Sequence, residues 1–172
     1  ITIGATGNDG NITLSGDIGT DSVAGAAIVA VGNAGTSSIT LGGAEYNTSG
    51  TQTYTADDYN LNGTDITFTT SADIVTFADG GSDGSIDLAD AADLSITTSG
   101  ANIVINVPIL GTSGGGVSTD VTLNAAAGNV TIEDIGTDVN DVAITGGTIS
   151  IDGTIETADL STSDAGLSLI HI

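Results

Sequence analysis
No lysine and no arginine occur anywhere in this 172-residue chain, against 22 aspartates and glutamates and a single histidine, for a formal net charge of −22 at pH 7. A chain without cationic side chains cannot release counterions from phosphates, which argues against nucleic acid as a partner. Anionic lipid surfaces are excluded on the same ground. Trypsin-like proteases find no cleavage site, and internal ion pairs are restricted to His171 and the amino terminus. Repulsion among the carboxylates must then be offset by their spacing, by salt or by bound cations. Cysteine is absent too, which says little about the redox compartment. With no Met or Trp and only 3% aromatics, a core must be built almost entirely from Ile, Val, Leu and Ala. One proline, Pro108, rules out collagen-like and proline-rich sequences. No apolar run approaches the roughly 18 residues of a spanning helix, so no membrane insertion is expected. Nor is there an initiating Met or a basic stretch leading into an apolar run; any secretion signal is expected to have been removed or to lie upstream in a longer precursor.

What is present is 26 Gly, 27 Thr and a wealth of Ile and Val punctuated by Asn, Asp and Ser, a composition suited to many short strands and tight turns. GNITLSGDIGTD (Gly10 to Asp21) is echoed by GNVTIEDIGTD (Gly128 to Asp138), each a strand with alternate apolar residues followed by a turn, a lone apolar residue and another turn. A similar unit, a polar residue followed by apolar, polar and apolar ones, begins near Ile12, Ile39, Ile66, Ile86, Ile103, Val121, Val130 and Ile149. Several gaps of about 18 to 27 residues fit one coil of a solenoid, and gaps near 9 fit two faces of one coil. The expectation is a single domain over residues 1–172: an all-β, right-handed parallel β-helix of about eight irregular coils with uncapped ends, on the order of 40 Å long at ~4.8 Å per strand. An antiparallel sandwich is the alternative, with Thr145 to Thr148, TGGT, as its one hairpin candidate. Ala24 to Val31 tempts a helix assignment, but Gly25 and Gly32 bracket it and its β-branched residues favour a strand. The segment from Tyr46 to Asn62, with Tyr46, Tyr54 and Tyr59 among Thr, Asn and Asp, reads as a wider loop or less buried face.

Ser49 to Gly63 (SGTQTYTADDYNLNG), Asp65 to Phe68 (DITF), Leu94 to Ile109 (LSITTSGANIVINVPI) and Val121 to Ile132 (VTLNAAAGNVTI) together resemble the repeats of filamentous haemagglutinin-like bacterial surface proteins. The resemblance implies a right-handed parallel β-helix on a secreted adhesin or surface fibre, and it brings no catalytic residues. The chain departs from that family in its total lack of Lys and Arg and in having no amino-terminal secretion domain.

Catalytic chemistry finds little to work with. A Ser/His/Asp or Cys/His site would rest entirely on His171, whose neighbours Ile170 and Ile172 place it on the polar side of a final strand. A carboxylate pair could hydrolyse a glycosidic bond, and Asp57 with Asp58, or Asp83 with Asp87, are the nearest candidates; Asp is nonetheless the default turn residue here, and no enzyme is expected. Asp79, Asp83, Asp87, Asp90 and Asp93 crowd the glycine-rich stretch Gly80 to Asp93, and Asp134, Asp138 and Asp141 form a second group. Oxygen ligands on glycine turns suit Ca²⁺, the one cofactor considered, against the alternative of solvated turn carboxylates. Alternating threonine in ITI, ITL and TFT resembles the flat arrays of ice-binding solenoids, but its irregular spacing along the chain favours ordinary β-propensity. Asn11, Asn47, Asn62 and Asn129 each begin an Asn-x-Ser/Thr sequon.

The ends, ITIG and LSLIHI, both read as core strands with no polar cap and no guarding Lys. The expected function is therefore structural: a segment or subunit of an extracellular bacterial surface fibre, its partner a further copy of itself or more of the same chain. The alternative is an adhesin stalk that binds surface glycans through the Tyr46 to Tyr59 region.

Overall fold
A computed structural model of the chain describes residues 1–4, 6–7, 10–20, 23–81, 83–112 and 119–164. His171 and the LSLIHI end lie outside the described residues, as does most of the Gly111 to Gly116 loop. Short β-branched runs broken by Gly, Asn and Asp cannot sustain a helix, and no helix occurs among the described residues. The chain instead winds through three faces in turn. Its first coil holds β1 (Thr2–Ile3) and β2 (Asn11–Leu14), with Ile18 and Gly25 bridging onward as a rudimentary third face. The second coil holds β3 (Ile28–Gly32), β4 (Ser38–Leu41) and β5 (Glu45–Thr48), and the third β6 (Gln52–Ala56), β7 (Asp58–Leu61) and β8 (Asp65–Thr70). Then follow β9 (Val75–Asp79), β10 (Ile86–Leu88) and β11 (Asp93–Thr98) in the fourth, and β12 (Ile103–Ile105), β13 (Ile109–Leu110) and β14 (Val121–Asn124) in the fifth. After β15 (Asn129–Ile132), one long strand, β16 (Ile135–Gly146), covers the second and third faces together, and β17 (Thr148–Ile151) with β18 (Ile155–Asp164) repeats the arrangement.

The first face is a seven-stranded sheet in the order β1-β3-β6-β9-β12-β15-β17, while β16 joins the other two faces into an eleven-stranded sheet. Every pairing between these strands is parallel, which is the parallel β-solenoid expected. The sandwich alternative falls with it: Thr145 and Gly146 end β16 and Thr148 opens β17, strands of different sheets rather than a hairpin.

About six turns are present, not eight. Along the first face Thr2 pairs with Ala30, Val75 with Ile103, Ile103 with Val130 and Val130 with Ile149, steps of 28, 28, 27 and 19 residues. The overcount arose because three strands make one coil. The units beginning at Ile103 and Val121 are the first and third faces of the same fifth coil. The rod is correspondingly shorter, about 30 Å at ~4.8 Å per strand.

Alternation places one residue in two inside a dry core. Ile39, Leu41, Ile66, Ile86, Ile96, Ile103, Val130 and Ile149 are all fully or almost fully buried. The segment from Tyr46 to Asn62 corrects the loop reading: it forms β5, β6 and β7, and Tyr46, Tyr54 and Tyr59 are 0% exposed. Most of its polar residues are the outward half of three strands, with Thr48 and Gln52 turned inward. With Phe68 and Phe77 the tyrosines fill the core of the second to fourth coils, Tyr46 stacking on Phe68 and Tyr54 on Phe77 at 5.0 Å between centroids. Burial pushes the tyrosine hydroxyls' pKa values up, and each hydroxyl has a partner, as buried polar atoms require. The single glutamine, Gln52, is also fully buried; its amide donates to the Tyr46 and Thr69 carbonyls at 2.6 and 3.0 Å and accepts from the Tyr54 hydroxyl at 3.1 Å. Ala24 to Val31 contains a strand as expected, with Ile28 and Val31 buried and Val29 turned outward, 58% exposed.

Candidate functional site
Three surface features follow from this winding. The first is an acidic groove at the corner between the first and second faces. Asp79 and Asp83 of the fourth coil, Asn106 and Pro108 of the fifth and Glu133 of the sixth line a cleft of about 110 Å³. It opens onto a shallow trough that carries Asp134, Thr154 and Glu156. The groove exists because the neighbouring strands β10 and β13 are short and because Gly84 and Gly136 put no side chain there. Gly84 is obligatory, since a Cβ would collide with the Asp57 carbonyl of the preceding coil. Partial burial, then the charges of Asp134, Asp79, Asp83 and Asp152, push the Glu133 carboxyl above the usual range. The small cleft lies below the ~300–1,000 Å³ typical of small-molecule sites.

Of the aspartates expected to gather near Gly80 to Asp93, the fold brings Asp79 and Asp83 to this groove and carries the others away. Asp87 sits outward on β10 and accepts from the Ser85 hydroxyl at 2.7 Å. Asp90 lies at the next corner, and Asp93 opens β11 on the third face. Asp134, Asp138 and Asp141 are strung along the corner and the two halves of β16. Asp138 has a positive φ of 69° where that strand bends, a conformation Asp tolerates better than most residues. Among the described residues no three acidic or histidine side chains converge to hold a metal ion. Asp57 and Asp58 are consecutive corner residues whose backbone amides donate to the Thr36 and Ser37 carbonyls of the coil below.

The second feature is an aspartate ladder at the corner between the second and third faces. Asp65 pairs in register with Asp93, and Asp141 with Asp159, Asp120 falling between them one residue before the paired Val121 and Val142. The Asp93 carboxylate accepts the Asp120 N–H at 2.9 Å, and the Asp120 carboxylate the Asp141 N–H at 3.2 Å. Asp17 does the same for Ala44 and Glu45, and Asp134 for Thr154. Turn carboxylates thus tie the first coil to the second, and the fourth through to the last. Asp17 and Asp134 are the aspartates of the two DIGTD echoes, yet the echoes occupy different corners: NITL is β2 on the second face and NVTI is β15 on the first.

The third feature is the outer surface of the third face. Register aligns Thr67, Ser95, Thr122, Ala143 and Ser161 in one column, and Thr69, Thr97, Asn124, Thr145 and Ser163 in a second. No charged residue stands in either column over these five coils, although the chain carries 22 carboxylates. Only Glu45, beside Thr67, adds charge at one end. The pairing of these rows was hidden by unequal corner lengths, which vary while the strands keep step.

Comparison with protein-family models, with curated proteins and with solved structures returned no match. The likeness to haemagglutinin repeats is therefore supported as far as the parallel β-solenoid and no further. The rings of Tyr46, Tyr54 and Tyr59, in the region where glycan contact was expected, lie in the core.

Proposed function
We propose that the chain is a structural element of an extracellular fibre, a stiff β-solenoid rod whose coil stack is continued end to end by a further copy or by more of the same polypeptide. The observation that supports this reading is the unbroken stack itself. Seven first-face strands run in parallel from β1 to β17, and corner carboxylates tie successive coils, so the molecule's substance is coil-to-coil cohesion. Among the described residues β1 pairs only with β3 and β2 only with β4. That edge carries unpaired backbone groups beside the exposed Ile1 and Ile3, a surface a further coil would cover. A head-to-tail contact of this kind does not close and yields a filament. The absence of trypsin sites and a dry core suit exposure outside the cell.

Sedimentation of the purified chain against concentration tests the proposal. Association that grows with concentration and with salt, and that Ile3→Lys suppresses without lowering the melting temperature, is the expected result. A monomer at every concentration and ionic strength would overturn it.

A further inference from the structure
We propose that the third face binds ice, its two hydroxyl columns ordering water into a lattice that merges with the crystal. The irregular spacing of threonine along the sequence argues against such a surface only if one strand follows another at a constant interval. In the fold it does not need to. Thr67 to Ser95 to Thr122 is in register because the coils differ at their corners while β8, β11 and β14 stay paired.

Two residues apart on one strand, the outward side chains of a row such as Thr67 and Thr69 stand roughly 6.6–6.8 Å apart, and successive rows stand roughly 4.8 Å apart. These are of the size of the two oxygen repeats on a prism face of ice. A parallel sheet holds that spacing by its main-chain hydrogen bonds, so the array is rigid before any water arrives.

The chemistry of the columns points the same way. Several threonine hydroxyls are spent on the protein: Thr48 donates to the Gly50 carbonyl, Thr112 to Leu88, Thr157 to Asn140 and Thr51 to Ile74. On the third face the hydroxyls of Thr67, Thr69, Ser95, Thr97, Thr122 and Thr145 have no partner among the described residues. They are half-buried to exposed and free to bond water. Carboxylates, whose tight and mismatched hydration would break an ice-like layer, are kept to the corner ladder over these five coils, with Glu45 beyond them at one end. Every aromatic ring is in the core, so the flat stacking surface a crystalline polysaccharide needs is missing.

The test is to grow ice slowly from a solution of the full chain and measure its concentration in the ice against the residual liquid, alongside the gap between melting and freezing points. Enrichment in ice and a measurable gap are expected. Thr97→Tyr and Thr122→Tyr should abolish both while leaving the melting temperature of the fold unchanged, and Thr131→Tyr on the first face should leave both intact. Exclusion from ice like any soluble protein, equal loss from the first-face variant, or retention on insoluble chitin without enrichment in ice would each overturn the proposal.

Discussion

An aspartate in this molecule does two opposed things at once. Asp93 accepts the backbone N–H of Asp120 in the next coil and stands in register with the carboxylates of Asp65 and Asp120 on either side. A hydrogen bond to a charged acceptor contributes about 1.5–3 kcal/mol. Two unit charges roughly 5 Å apart in water repel by about 1 kcal/mol, less in salt. The bond therefore wins narrowly, and the two effects separate by mutation. Asp93→Ala should lower stability by about 1–2 kcal/mol at moderate salt, since it removes the acceptor. Asp93→Asn keeps an acceptor and removes the charge; it should raise the melting temperature at low salt, with a gain that shrinks as salt is added. Thermal unfolding followed by circular dichroism across ionic strength reads both. At Glu133 the sign is set by the raised pKa. The folded chain holds this proton more tightly than the unfolded chain does, so stability is full below the ordinary glutamate range and is lost as pH rises through the raised value. Glu133→Gln should accordingly be more stable than the parent at neutral pH and equal to it in acid, which parallel melts at the two pH values would reveal.

At the scale of the strand and corner, the most informative positions are those where an L side chain sits in a left-handed conformation. Ala126 has φ of 51° at the corner between the third and first faces. Ala126→Gly relieves that conformation and should stabilise the fold by about 0.5–1 kcal/mol in urea titration, the reverse of the usual effect of glycine. The same corner shows what the sequence carried and what it concealed. Strand identity, alternation and the parallel solenoid were legible, because β-branched residues at every second position with Gly and Asn between leave few other solutions. Register was not read from the DIGTD echo, whose copies lie at different corners. It was written instead in Thr48-Ser49-Gly50, Thr70-Ser71-Ala72 and Thr98-Ser99-Gly100, where a buried threonine turns inward and its hydroxyl bonds the carbonyl of Gly50, Asp73 or Ala101. Pairing places Thr48 beside Thr70 and Thr70 beside Thr98. Aligning the chain on that triplet yields the coil lengths, and with them the charge-free columns of the third face. The aromatic core was misjudged for a different reason. Tyr, Thr and Asn in alternation look polar overall, and only strand periodicity separates the buried half from the exposed half.

For the whole molecule, the picture is of cohesion along one axis. Core, corner ties and sheet hydrogen bonds all connect a coil to its neighbours above and below, as in other quasi-one-dimensional proteins. Such a body has no need of a large closed core, and the charge of its 22 carboxylates can be tolerated because those of the described residues lie on the outside of a rod rather than around a sphere. The central claim is that this axis is the functional one. Cryo-electron microscopy of the concentrated chain in physiological salt tests it most directly. The account predicts rods one solenoid wide that lengthen by end-to-end addition, with strands across the long axis and an axial repeat of about 4.8 Å. Compact particles of fixed size at every concentration, or filaments whose strands run along the axis, would contradict it.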